Sequence, residues 1–347
     1  MSESAAWIFL PLEVVVAVVC CLGNALVIWA VRAGGSLRKP TFCFITALAV
    51  ADFLVGSVAI PLGVLVDIRM KISFYGCLFM CCNLIMIEMA SVTLLLAVAV
   101  DRFLRVHIPL TYKTTVTVKR SWIVVTLCWF MAALISFVPM FGWNNSDNLD
   151  NLDSAAHSNS TSFKCHFFTV VSTSYLVKLL FFSCFLPVFA IVTGLYCYIF
   201  LTTRRQLRAQ IGVHIESGTN YLKEQRLAAS LALVYVLFAV CWFPLFLMHT
   251  VKHYYGNETV PSSVMHVGVL LSHASSAVNP VVYSFRIPII NKAFRELWVR
   301  FFHCGAQQDN DPNNVQTNTD NSTKKQHHIK YIKKQNQEQY TRGGYRL

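Results

Sequence analysis

Residues 77–105 read CLFMCCNLIMIEMASVTLLLAVAVDRFLR, and their reading decides the fold. Between Leu78 and Val100 there is one formal charge, Glu88. At about 1.5 Å of rise per residue these 29 residues would form a helix roughly 43 Å long. A bilayer needs roughly 20 apolar residues, so the stretch predicts a membrane-spanning helix that crosses at a tilt. Glu88, Ser91, Leu95, Ala99 and Arg102 are three or four apart and share one helix face. A face that carries a carboxylate, a hydroxyl and a guanidinium does not point at lipid. The expected position is therefore central, with other helices around it.

Working outward, the composition agrees. The chain has 347 residues, 55% apolar and 13% charged, against about 25% charged in an ordinary soluble domain. The apolar residues fall into seven runs: Ala5–Val31, Thr41–Val66, Leu78–Val100, Ser121–Trp143, Leu179–Thr203, Leu227–Val251 and Val260–Phe285. Each is long enough to span. The competing reading, a large soluble helical core, is disfavoured by unbroken runs of this length. The fold class expected is an all-α membrane protein, a seven-transmembrane helix bundle.

The net charge of +12 does not point to nucleic acid, because the basic residues sit on alternate loops. Arg32, Arg38 and Lys39 lie on one side, with Arg102, Arg105, Lys113, Lys119 and Arg120, then Arg204, Arg205, Arg208, Lys223 and Arg226, then the tail. The opposite loops hold mainly Arg69, Lys71 and Lys164. The positive-inside rule then puts the amino terminus outside and the carboxyl terminus in the cytosol. Met1–Ala6 has no basic region, so the first run reads as a retained span, not a cleaved signal.

Several residues stand out within the runs. Asn24 follows Gly23, a small residue that would let a neighbouring helix approach, and its expected role is an interhelical hydrogen bond. Asp52 is the one acid deep in the second run; it predicts either a cation site or a hydrogen-bonded structural acid. Cys77 and Cys165 lie at the same outer side, where an oxidising exterior favours a bridge. Asn144, Asn159 and Asn257 begin outward-facing glycosylation sequons. Pro187, Pro244 and Pro280 fall inside three runs, beside polar or aromatic groups, and suggest kinked helices that move. Pro288–Cys304 is amphipathic and predicts a short eighth helix on the inner membrane surface, against lipid, with Cys304 a palmitoylation candidate. Residues 305–347 lack apolar runs and read as a disordered cytoplasmic tail, leaving 1–304 as the seven-transmembrane domain.

These residues carry a resemblance. Asn24, Asp52 in LAVAD, Cys77, Asp101-Arg102-Phe103, Trp129, Cys165, Pro187, Cys241-Trp242-Phe243-Pro244 and Asn279-Pro280-Val281-Val282-Tyr283 follow the order and spacing of class A (rhodopsin-like) G-protein-coupled receptors. The match runs from about residue 7 to 304. Most members have a tyrosine where this chain has Phe103. SFYGCLFM, LLLAVAVDRFLRVHIPLTYK, PMFGWNN and LLSHASSAVNPVVYSFRI narrow the resemblance to adenosine receptors, and the short third cytosolic loop and tail to their type 1 and type 3 branch.

The resemblance implies a purine nucleoside pocket in the outer third of the bundle. Glu13, Ile85, Glu88, Phe167, Trp242, Leu245, His249, Val269, Ser272 and His273 match its positions. In the family the loop phenylalanine stacks on adenine, and the serine and histidine meet the ribose. Two positions depart. His249 stands where the family has an asparagine reading the adenine edge, and Glu88 where it has a threonine. Three readings stay open: Glu88 compensated by a protonated His273, a pocket re-tuned to another purine or a cationic ligand, or adenosine binding lost. The resemblance also implies an allosteric sodium site at Asp52, Ser91, Trp242, Ser275 and Asn279, with Ser275 replacing an asparagine. Asp101, Arg102, Pro244, Pro280 and Tyr283 match the switch that opens to a heterotrimeric G protein, in this branch the inhibitory class that lowers cyclic AMP, and arrestin is a further partner.

Other classes fit less well. A retinal-binding light sensor would need a lysine at His273, a transporter would show internal repeats, and an enzyme would show a nucleophile with its base or a metal cluster. The expectation is a multi-pass plasma-membrane receptor without catalytic residues or an obligatory cofactor.

Overall fold

The computed structural model describes residues 3–146, 163–210, 215–287, 290–292 and 294–296, all within one compact unit, Met1–Glu296. Among them seven long helices follow in order. They are α1 (Glu3–Ala33), α2 (Pro40–Asp67), α3 (Phe74–His107), α4 (Val118–Ser136), α5 (Tyr175–Phe185 as a π-helix, then Leu186–Gln210), α6 (Ile215–Tyr255) and α7 (Ser262–Arg286). Within α2 a π-helical turn, Val55–Ala59, separates two α-helical parts. Among the described residues six helices, α1 to α6, are long and apolar enough to cross a membrane. α7 has the length, 25 residues, and owes its greater polarity to Ser272, His273, Ser275, Ser276 and Asn279, all of which it buries. A helix can carry such a stripe through a bilayer when other helices cover it.

The stretch around Glu88 is central as expected. α3 packs against α2, α4, α5 and α6, and its Ser91, Leu95, Ala99 and Arg102 are buried on one face. Ser73 caps its start, the side chain accepting from the Gly76 backbone N–H. α1 closes on α7 through small residues. A Cβ at Gly23 would lie 2.9 Å from Pro280 Cγ, so the contact requires glycine. Asn24 Nδ2 donates to the Ser276 carbonyl at 3.2 Å, the interhelical bond read from the sequence.

One boundary differs clearly from the sequence reading. The run Ser121–Trp143 does not stay helical: α4 ends at Ser136, and Pro139 sits in a 3₁₀ turn, Val138–Phe141, closed by left-handed Gly142. Proline cannot donate the backbone bond that would prolong α4. Pro187 is preceded by the π-helix Tyr175–Phe185, whereas Pro244 and Pro280 lie inside α6 and α7 without ending them. Residues 290–292 and 294–296 are helical, with Ile290 buried and Phe294 against the core. The rest of the expected eighth helix, Cys304, the 304 boundary, the tail and Asn159 lie outside the described residues.

The outer loop before α5 is fastened at several points. The strands β1 (Lys71–Ile72) and β2 (Phe163–Lys164) pair antiparallel, Lys71 opposite Lys164. The expected Cys77–Cys165 disulfide is present. Asn145 Nδ2 donates to the carbonyls of Phe168 and Val171 at 3.1 and 3.2 Å. The neighbouring Asn144 is half-buried; its Nδ2 donates to the Pro139 carbonyl at 2.9 Å and its Oδ1 accepts from the Ser146 N–H. Asn257 opens the 3₁₀ turn Asn257–Thr259 between α6 and α7.

Candidate ligand-binding site

A cavity of about 190 Å³ opens between α2, α3, α5, α6, α7 and the fastened loop. Ile85, Glu88, Phe167, Trp242, Leu245, His249, Val269, Ser272 and His273 all line it. Glu13 does not, and reaches the site through His273. Four further lining residues, Met89, Leu176, Leu180 and Phe246, were not singled out in the sequence, nor was Lys252. Phe246 and Lys252 were within reach of helical spacing, four after Trp242 and three after His249. Leu176 and Leu180 belong to the π-helical part of α5, whose register a single sequence does not reveal.

The outer end is aromatic and basic. The disulfide and the β1–β2 pair set Cys165, and the short helix Phe167–Val170 begins two residues on. Phe167 and Phe168 meet edge to face with centroids 5.4 Å apart. Lys252 Nζ lies 4.6 Å from the centre of the Phe168 ring, and Phe168 meets His249 edge on at 5.6 Å. His249 is buried, and its Nδ1 has no hydrogen-bond partner among the described residues. At the rim His266 Nε2 is 3.5 Å from Asp67 Oδ2. His166, in the loop, is held below its ordinary basicity by burial and then by the nearby Arg69 charge.

The inner end is acidic. His273 Nδ1 is 2.8 Å from Glu13 Oε2 of α1, and its Nε2 is 3.6 Å from Glu88 Oε1 of α3. One imidazole thus stands between two carboxylates. Ser272 Oγ donates to the Val269 carbonyl and keeps its acceptor capacity for the cavity. Trp242 floors the space and donates from Nε1 to Ser275 Oγ at 3.3 Å.

Deeper in the bundle Asn279 Nδ2 donates to Asp52 Oδ2 at 2.7 Å. Ser91 and Ser276, the latter not foreseen, also face that carboxylate. The Ser91 hydroxyl and the Asn24 carbonyl oxygen are buried without a partner among the described residues. A carboxylate beside an unpartnered hydroxyl, that of Ser91, suits a hard cation. At the inner end Asp101 gathers a closed network. It pairs with Arg102, accepts from Thr41 Oγ1 at 2.9 Å and from the Tyr112 hydroxyl at 2.6 Å, and Arg102 also reaches Thr41. Burial, then the Asp101 charge, pushes the Tyr112 phenol up to about 12. Phe103 stacks on His107 at 5.0 Å, and Tyr283 is fully buried.

The 7 transmembrane receptor (rhodopsin family) profile matches residues 23–283. The chain is 35% identical to Adenosine receptor A3 of Ovis aries over 319 residues, 91% of this chain and 98% of that receptor. It is 37% identical to Adenosine receptor A3 of Canis lupus familiaris over 294 residues, 85% and 90% of the two chains. For the Bos taurus receptor of the same name the identity is 36% over 313 residues, 89% and 95%.

Proposed function

Since the chain belongs to the rhodopsin family of seven-transmembrane receptors, within its adenosine-receptor branch, and is a multi-pass plasma-membrane receptor and no enzyme, we propose that its outer cavity binds adenosine or a related purine nucleoside. The observation that carries this reading is the cavity's division into two ends. Phe167 offers a flat face to a purine at the loop side. Ser272, His273 and Glu88 offer hydrogen-bonding groups to ribose hydroxyls at the inner side. His249 Nδ1, buried and without a partner among the described residues, supplies one donor or acceptor to the base edge.

Ligand contact with Trp242 and Leu245 biases α6, which Pro244 allows to bend. Signalling is then a population shift between two packings of α6 and α7, with Pro280 and Tyr283 on the moving side. The Asp101–Arg102 network holds the resting form, and its opening exposes Arg102 to a G protein of the inhibitory class, with arrestin as a later partner. The amino terminus faces outward, and the Asn144, Asn159 and Asn257 sequons and Cys304 are candidate modification positions. Asp52, Ser91 and Asn279, with Ser275 and Trp242 above them, would hold a sodium ion, whose charge would neutralise Asp52.

The test is cyclic AMP in forskolin-treated cells expressing this chain, titrated with adenosine, beside the double variant Glu88→Thr/His249→Asn. Suppression by wild type at submicromolar adenosine is the expected result. Silence of both proteins, at equal surface expression, removes the purine reading.

A further inference from the structure

Glu88 is the acid this cavity does not account for. It sits on the innermost turn of the lining, and its side chain is 20% exposed, into the cavity. Its nearest ionic neighbour, His273 Nε2, is 3.6 Å away, beyond a hydrogen bond, while the other ring nitrogen is held by Glu13 at 2.8 Å. Among the described residues Glu88 makes no hydrogen bond. His273, already bonded to Glu13, supplies at most one positive charge between the two acids. The surroundings do not help: Ile85, Met89, Trp242 and Leu245 are apolar or donate elsewhere. The one ammonium among the lining residues, Lys252, is at the other end, over the Phe168 ring. A carboxylate held this way in a low-dielectric site is unfavourable until a cation or a strong donor reaches it.

Resting on the reading of this cavity as the ligand site, we infer that its inner end recognises a protonated amine, so that the preferred ligand is a purine-like aromatic carrying an ammonium group where adenosine carries a ribose hydroxyl. The aromatic ring lies against Phe167, and the ammonium donates to Glu88 and lies beside Ser272. A ribose hydroxyl can also donate to Glu88, but it brings no counter-charge for the ionised acid. An ammonium brings one and makes the stronger, charge-assisted bond. The acidic floor and the basic rim at Lys252 also orient such a ligand, its cation pointing inward.

The test uses purified full-length receptor in lipid nanodiscs and compares adenosine with two analogues, in which an amine replaces the hydroxyl at C3′ or at C5′. The N-acetylated forms serve as neutral controls, and affinity is read by ligand-induced thermal shift. One amine should bind at least roughly tenfold more tightly than adenosine, the size expected of a hydrogen bond to a charged group. Acetylation should remove that preference, as should Glu88→Gln, while Glu88→Asp should keep a part of it. If adenosine binds and neither amine is preferred, or if the preference survives Glu88→Gln, the inference falls and the purine reading stands. If neither adenosine nor the amines bind, both fall. Should Glu88→Gln not fold, the acetylated pair on wild type still decides.

Discussion

Glu88 and Asp101 are both acids on α3, and they differ in company. Asp101 lies at the inner end with three partners: Arg102 on its own helix, Thr41 from α2 and Tyr112 from the loop beyond. Both of its oxygens are used, and its residue is 3% exposed. Glu88 lies at the outer end with one neighbour at 3.6 Å and a cavity in front of it. Asp52 on α2 stands between them, with Asn279 bound and the Ser91 hydroxyl without a partner among the described residues. A buried charge that is fully paired holds a conformation, because losing one partner strands the other. A buried charge left open is unfavourable alone and favours whatever completes it. One helix thus carries a fully paired acid at one end and an open acid, facing the cavity, at the other.

Removing the charge from Asp101 is the strongest way to break the comparison. Asp101→Asn keeps the shape but leaves Arg102 buried beside an amide. The expected loss is about 3–5 kcal/mol of resting-state stability, the usual result of stripping one partner from a buried pair. It should be read as a lower unfolding temperature and as raised ligand-independent signalling. A protein with unchanged midpoint and unchanged basal signal would mean that this network does not hold the resting form.

A smaller effect is expected from Tyr112→Phe, which removes the hydroxyl bound to Asp101 at 2.6 Å. Hydrogen bonds to charged groups contribute about 2 kcal/mol, so a loss of that order is predicted at neutral pH. The sign with pH follows from the raised phenol. Its contribution is complete below the ordinary tyrosine value, about 10, and is lost as pH rises through its folded value of about 12. Wild type and Tyr112→Phe should therefore converge in midpoint across that alkaline window. Parallel curves throughout would place the phenol outside that network.

Legibility in the sequence followed the same division. The seven helices were readable because each buries or exposes a long apolar run, and the polar face of α3 was readable at three- and four-residue spacing. The end of α4 was missed although Pro139 marks it, because the apolar count continues past the proline. The π-helical start of α5 has no signal of its own, and with it the register that brings Leu176 and Leu180 to the cavity was hidden. The anomaly of Glu88 was visible as a carboxylate in an apolar run, and its nearness to His273 could be posed as a question. That Glu13 already occupies the other face of that imidazole depends on the approach of α1 to α7, which no local pattern encodes. Thr41 and Tyr112 were invisible as partners of Asp101 for the same reason: one lies 60 residues away and the other in a loop.

The smallest effect, and the sharpest contrast with Asp101→Asn, is expected from the same acid-to-amide change at Glu88. Glu88→Gln in the ligand-free receptor removes an acid that has no hydrogen bond to lose among the described residues. Its attraction to His273 at 3.6 Å disappears, but Glu13 at 2.8 Å remains to hold the imidazole. Against that loss stands the relief of burying an acid without a close partner in an apolar cavity. Most substitutions lower stability by about 1 kcal/mol; Glu88→Gln is expected at zero or on the stabilising side. The check is the thermal midpoint of the ligand-free receptor beside that of Asp101→Asn. A drop at Glu88 as large as the drop at Asp101 would mean that Glu88 is a second structural pair with His273, already satisfied, and that the outer end of α3 holds the fold in the same way as the inner end.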